Sequence, residues 1–227
     1  MTDAFGRMLL DRADTEIIER SDGFISTSML DYFAPVRRWA QVERRALRLV
    51  RGRVLDAGVG AGRVALELQA RGRNVVGIDV SAGAVEVARR RGVRNVRLLA
   101  FEDVDASLGR FDTLVMYGNN FGLFGSPAKA RRLLKRFRPF IGRIVAGSND
   151  PYGTDDPAHL AYQERNRARG RMPGQLRIRV RYRDLADPWF EYLIVSPDEM
   201  AEILEGTDWE IRRLVRDEGS YYVAVLE

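Results

Sequence analysis

The stretch Val54-Leu55-Asp56-Ala57-Gly58-Val59-Gly60-Ala61-Gly62-Arg63 decides the reading of this chain. Apolar residues run into an aspartate, three glycines follow at every second position, and a helix pattern starts at residue 64. Strand, glycine turn and helix in that order bring main-chain N–H groups close to a ligand at a helix N-terminus. The spacing departs from a dinucleotide fingerprint, which wants glycine at 58, 60 and 63. Here the third glycine is Gly62 and position 63 is Arg. Asp56 ends the strand just before the turn, where its charge repels a pyrophosphate and attracts an ammonium group.

Working outward, residues 74–79, 95–100, 111–117 and 142–147 read as further strands, the 111–117 run almost continuously apolar as a strand buried on both faces requires. Helices fall between them: Ser81 caps one over 82–91, and Ser126-Pro127 opens another that runs to Phe137. Alternating strands and helices imply parallel pairing with right-handed crossovers, hence a doubly wound α/β sheet. Residues 1–50 read as a helical segment, with Pro35 opening a helix that carries Val36, Trp39, Ala40, Leu47 and Val50.

After residue 150 the rhythm breaks. A loop precedes a helix over 158–169. Residues 176–183 alternate apolar side chains with arginine, as a strand with one wet face does, and 189–195 supplies its antiparallel partner. Ser196-Pro197-Asp198-Glu199 is a capping box. Residues 209–215 and 221–226 are two closing strands. The division expected is therefore 1–50, then a main domain of 51–150 with 196–227, and an insertion of 151–195.

Composition removes several classes of function. The 227 residues contain no cysteine and one histidine, His159, which excludes disulfides, thiolate metal sites, a cysteine nucleophile and a multi-histidine metal centre. No metal site is expected. No apolar run approaches the roughly 18 residues that cross a bilayer. The first residues lack a signal-peptide pattern, so a cytoplasmic location is the expectation. The balance of 37 basic to 32 acidic residues is mildly positive. Arginine runs at 89–91, 131–138 and 165–171 lie on helices, where such runs are solvated faces, and this weighs against a nucleic-acid partner.

Asp79 ends the second strand, about 20 residues past the glycines, where a carboxylate accepts from both hydroxyls of a ribose. Glu102 and Asp103 follow the third strand, where an acid meets an adenine amino group. Ribose, adenine and a cationic tail without phosphates together describe S-adenosylmethionine. On these residues the chain resembles the class I S-adenosylmethionine-dependent methyltransferases of the small-molecule type. Asp56-x-Gly58-x-Gly60-x-Gly62 matches the family's first motif and Gly77-Ile78-Asp79-Val80-Ser81 its second, while residues 111–116 resemble its fourth strand. The closing helix and two strands are similar to the family's last helix and antiparallel seventh strand.

The resemblance implies a Rossmann-like seven-stranded sheet with an antiparallel last strand, and an enzyme that uses S-adenosylmethionine. It implies that Asp56 with the backbone of Ala57, Gly58 and Gly60 holds the methionine part. Asp79 takes the ribose, Val80 packs on the adenine, and Glu102 or Asp103 meets its amino group. Tyr117 to Asn119 then line the space near the transferable methyl. The candidates for chemistry are Tyr117, Asn119 and His159; Tyr32 and Phe33 are candidates for a lid. Methyl transfer from a sulfonium is an in-line displacement that needs alignment and, for a protonated acceptor, a proton sink. No fixed catalytic motif is required and none is present. The insertion leaves from the strands' carboxyl ends and carries aromatic residues, which fits a cap over a small-molecule acceptor. The alternatives are an RNA methyltransferase and a non-catalytic S-adenosylmethionine-binding protein. Either a monomer or a homodimer is compatible with the sequence.

Overall fold

The computed structural model describes residues 3–29 and 32–227. Its main sheet has seven strands. β3 (Val54–Ala57), β4 (Val75–Asp79) and β5 (Val96–Leu98) run outward on one side. β6 (Thr113–Met116) and β7 (Ile144–Asn149) lie on the other, all five parallel. β12 (Tyr221–Leu226) is inserted antiparallel between β7 and β11 (Ile211–Arg216). Strand order reverses between β3 and β6, and ligands of open α/β sheets sit beyond the strand ends at such a reversal.

Both faces of the sheet are covered, which is why β3 and β4 are buried at every position. On one face Leu55, Leu114 and Met116 pack against α5 (Pro127–Phe137) and α7 (Pro197–Leu204). Ser126 caps α5 and Pro127 starts it; Ala130, Leu133, Leu134 and Phe137 recur at helical spacing and all four are buried. On the opposite face Val54, Val115 and Tyr117 pack against α2 (Gln41–Ala46), α3 (Arg63–Ala70) and α4 (Ala82–Arg90).

The expectation of a purely helical residues 1–50 is corrected by the structure. α1 (Ala4–Leu10) is followed by a hairpin of β1 (Thr15–Arg20) and β2 (Ile25–Met29). Ser21-Asp22-Gly23 makes the turn, with Gly23 in the left-handed region at φ 88°. Nor does Pro35 open one long helix: a 3-10 turn over Val36–Arg38 stops at an extended Trp39, and α2 begins only at Gln41.

The segment 151–195 pairs with the N-terminal hairpin. After α6 (Pro157–Ala168), β8 (Gln175–Tyr182) pairs with β10 (Phe190–Leu193) as expected, with β9 (Leu185–Ala186) on the same strand. The other edge of β8 pairs with β1. The hairpin and the late segment thus form one antiparallel sheet, ordered β10-β8-β1-β2. Its residues come from opposite ends of the chain, and neither half has a complete sheet alone.

Candidate functional site

The glycine turn leaves β3 at the point of strand reversal. Gly58, Gly60 and Gly62 all have positive φ, of 72°, 51° and 82°. Asn120, which follows β6, donates from Nδ2 to the carbonyls of Ala57 (2.9 Å) and Gly58 (3.3 Å), so the two strand ends are laced together. Asp79 braces the turn from the end of β4. Its Oδ2 accepts from Gly60 N–H at 2.9 Å and its Oδ1 from Ser81 N–H at 3.0 Å. Each oxygen keeps a second lone pair, the capacity that two ribose hydroxyls need.

Asp56 is 3% exposed, and its Oδ2 has no hydrogen-bond partner among the described residues. A buried polar atom left without a partner is costly and calls for one. Burial pushes the Asp56 carboxyl up to about 7, opposed by the Arg63 guanidinium and the Ala65 N–H, and reinforced by Asp79. Arg63 is itself fixed, with two hydrogen bonds of 2.9 and 2.7 Å to Glu43 and its guanidinium over Trp39. Val80, next to Asp79, is 71% exposed, an unusual state for valine and the right one for a surface that stacks a base.

The matched domain follows from these features together. Residues 54–140 match the family model described as a methyltransferase domain. Residues 54–140 carry a methyltransferase domain. Solved structures agree on the fold. One is similar over nearly the whole chain: a SAM-dependent methyltransferase from Bacteroides fragilis in complex with S-adenosyl-L-homocysteine. It is 23% identical with a TM-score of 0.80, covering 99% of this chain and 92% of that one. A SAM-dependent methyltransferase from Methanosarcina mazei is 17% identical with a TM-score of 0.60, covering 83% and 97%. A third, from Burkholderia thailandensis, is the 1,6-didemethyltoxoflavin-N1-methyltransferase with bound 1,6-didemethyltoxoflavin and S-adenosylhomocysteine. It is 19% identical with a TM-score of 0.51, covering 82% and 77%.

In this methyltransferase domain the remaining candidates fall in different places. Glu102 and Asp103 form a 3-10 turn after β5; Lys129 takes the Glu102 carboxylate at 2.9 Å, whereas Asp103 has no ion pair among the described residues. Tyr117 is buried against Trp39 and donates to the Glu43 carbonyl at 3.3 Å. Asn119 is left-handed at φ 68° and its buried Oδ1 has no partner among the described residues. His159 lies elsewhere, at the start of α6. Its Nδ1 accepts from Arg20 at 2.8 Å and its ring packs on Phe24. Those partners belong to the hairpin, not to the glycine turn.

Tyr32 sits by the turn, its ring 3.6 Å from where a Cβ on Gly60 would stand, with Phe5 of α1 edge-on to its ring at 5.4 Å. Arg91 anchors this arrangement by donating to the carbonyls of Ala61 and Tyr32, so that end of the 89–91 run is not a solvated face. Many other arginines of the three runs are held by protein groups, among them Arg90 by Glu86, Arg131 by Glu202 and Arg165 by Asp22. Glu16 of β1, which the sequence pattern does not single out, is buried and accepts from Tyr32 OH at 2.8 Å.

The bracing by Asp79 carries an expectation. Asp79→Ala strips the acceptor from two backbone N–H groups, which is expected to cost about 1–3 kcal/mol of stability. Loss of hydrogen bonds to a charged acceptor should weaken S-adenosylhomocysteine binding by a further ~1.5–3 kcal/mol. Urea unfolding and calorimetry on the same preparation separate the two effects. A variant of unchanged stability shows that the turn does not depend on this carboxylate.

Proposed function

We propose that the chain transfers a methyl group from S-adenosylmethionine to a small-molecule acceptor held beneath the antiparallel sheet. The observation that carries this is the roof itself. Tyr32 and Phe5 lie within van der Waals reach of a Cβ placed on Gly60, and Tyr192 of β10 packs against Gly122 and donates to the Asn119 carbonyl at 2.7 Å. Aromatic cover over the carboxyl ends of the strands favours a compact acceptor over a polymer. The division of labour that follows gives residues 51–150 and 196–227 the cofactor, and gives the sheet built from 1–50 and 151–195 the acceptor.

Asp56, with the backbone of Ala57, Gly58 and Gly60, would hold the methionine part, the free Asp56 oxygen accepting from its ammonium group. Asp79 would take the ribose and Val80 the adenine face. Of the two acids after β5, Asp103 is the better placed to meet the adenine amino group, because Glu102 is engaged by Lys129. Tyr117 would back the methionine part from within the core. The group supplies a methyl on a positively charged sulfur, already activated toward displacement. The protein's part is to align the acceptor and to accept a proton. The Burkholderia thailandensis structure, with bound 1,6-didemethyltoxoflavin, supports the small-molecule reading. The partnered arginines weigh against an RNA methyltransferase.

Calorimetry with S-adenosylhomocysteine and with NAD tests the cofactor assignment. Binding of the first and none of the second is expected, since Asp56 suits an ammonium and opposes a pyrophosphate. Tighter binding of NAD overturns it. Methyl transfer to low-molecular-weight acceptors, and none to RNA, is the expected result with labelled cofactor.

A further inference from the structure

Pairing across the antiparallel sheet puts Glu16 on the same face as Ile18, Val180, Ile178 and Tyr192. The opposite face carries Glu19, Arg177, Arg179 and Arg181, and Glu19 is bridged to Arg179 and Arg181. The inward face is therefore the apolar one. Among the described strand residues of that face, Glu16 is the one carboxylate. It is 8% exposed.

A buried carboxylate is costly unless a cation or several donors compensate it. Glu16 forms no salt bridge among the described residues. One donor reaches it: Tyr32 OH, at 2.8 Å from Oε1. The same Tyr32 ring lies by Gly60, so Glu16 is one phenol away from the glycine turn. On the other side is Tyr192, whose hydroxyl donates to the Asn119 carbonyl. The Asn119 side chain ends in a buried Oδ1 with no partner among the described residues. Tyr192 thus stands between two acceptor groups, sharing a sheet face with Glu16 and touching Asn119 through its carbonyl. Asn119 Oδ1 accepts a hydrogen bond only, whereas an ionised Glu16 accepts a hydrogen bond or a proton.

We propose that the acceptor is an amine, its N–H groups held by Glu16 and Asn119 Oδ1, and that Glu16 is the catalytic base. This rests on the methyltransferase reading above and narrows it to nitrogen acceptors. The acceptor nitrogen uses its lone pair to form the new N–C bond as the C–S bond breaks, the pair staying on sulfur. One N–H proton passes to the Glu16 carboxylate and from there to solvent. Burial raises Glu16 from its ordinary value, with the Tyr32 hydrogen bond opposing, a shift in the direction that strengthens a base. The groups that face it are Tyr32 and, from β10, Tyr192; Asp79 lies beyond Tyr32.

The test uses S-adenosylmethionine carrying a ¹³C methyl, a low-molecular-weight cell extract and the full chain. The carbon shift of the new methyl identifies the atom that received it. An N-methyl product is expected. In Glu16→Gln its rate should fall by about a hundredfold or more, the usual contribution of a positioned base, and the acidic limb of the pH–rate profile should disappear. S-adenosylhomocysteine affinity and thermal midpoint should stay nearly constant in that variant. O-methyl or C-methyl product alone, or no labelled product beside normal S-adenosylhomocysteine binding, overturns the proposal. So does an equal loss of S-adenosylhomocysteine affinity in Glu16→Gln, which would assign the residue to the cofactor. Failure of the wild-type chain to bind S-adenosylhomocysteine defeats the underlying methyltransferase reading instead.

Discussion

Asp56→Asn is expected to abolish measurable cofactor binding while leaving the protein folded and no less stable at pH 8. The reason is the carboxylate's isolation. It is buried, its Oδ2 has no partner among the described residues, and burial has pushed it up to about 7, against the pull of Arg63. An ammonium group docking there completes an otherwise unpaired buried acceptor. Removing one partner of such a desolvated pair costs about 2–5 kcal/mol. The sign of the pH effect follows from the same placement. The unfolded chain ionises Asp56 near the ordinary value of 3.8, the folded chain only near 7. Between those values the folded state holds more protons, so its stability falls as pH rises and then levels off. Asparagine removes that loss. Ligand binding runs the other way, because it selects the ionised form. Affinity for S-adenosylhomocysteine should rise about fivefold from pH 6 to 7 and about twofold from 7 to 8, given a value of about 7. At pH 6.5 binding should release roughly three-quarters of a proton, read from the enthalpy in buffers of different ionisation heat. Asp56→Asn should release none. Full affinity in this variant would place the ammonium elsewhere.

Much of the domain that holds this carboxylate was legible in the chain, because its signals are local. Gly58, Gly60 and Gly62 announce a turn whatever surrounds them, and Ser126-Pro127 and the Ser196–Glu199 capping box mark helix starts within four residues. Strands buried on both faces, such as β3 and β6, need no knowledge of their neighbours. The roof was not legible for the opposite reason. β1 and β8 are paired through residues about 160 positions apart, such as Ile18 with Val180. Thr15–Arg20 alternates weakly, and its inward positions include Glu16 and Arg20, so its pattern alone did not declare a strand. Pro35 misled in a different way. A proline marks a permitted first turn without requiring a second one, and Trp39 breaks out to bury its ring and donate from Nε1 to the Ala34 carbonyl. His159 shows the same lesson at the level of chemistry. Its rarity drew attention, but its nitrogen is engaged by Arg20 and the acid beneath the roof is Glu16.

The second large effect is expected from Gly62→Ala. Gly62 precedes α3 with φ 82°, a conformation that costs an L-residue about 1–2 kcal/mol. Space is a second obstacle. An added Cβ lies 2.6 Å from Cγ2 of Val93 and 3.4 Å from Cβ of Ala88, both fully packed where α4 ends. Neither neighbour is the free end of a flexible chain, so the turn or α4 has to move, and overpacking of that kind costs about 1–3 kcal/mol more. The sum, about 2–5 kcal/mol, is a large part of a domain's stability. Gly72→Ala separates the two contributions. Gly72 has φ 76°, but nothing lies within 4 Å of its added Cβ, so it should lose only the conformational part. Urea midpoints of the two variants measure the difference, and equal losses would show that Val93 gives way freely. The consequence reaches the site, because the turn that must shift also carries Gly60, whose N–H binds Asp79 at 2.9 Å. Gly62→Ala should therefore weaken S-adenosylhomocysteine binding although it touches no ligand atom, and Gly72→Ala, at the far end of α3, should leave it unchanged.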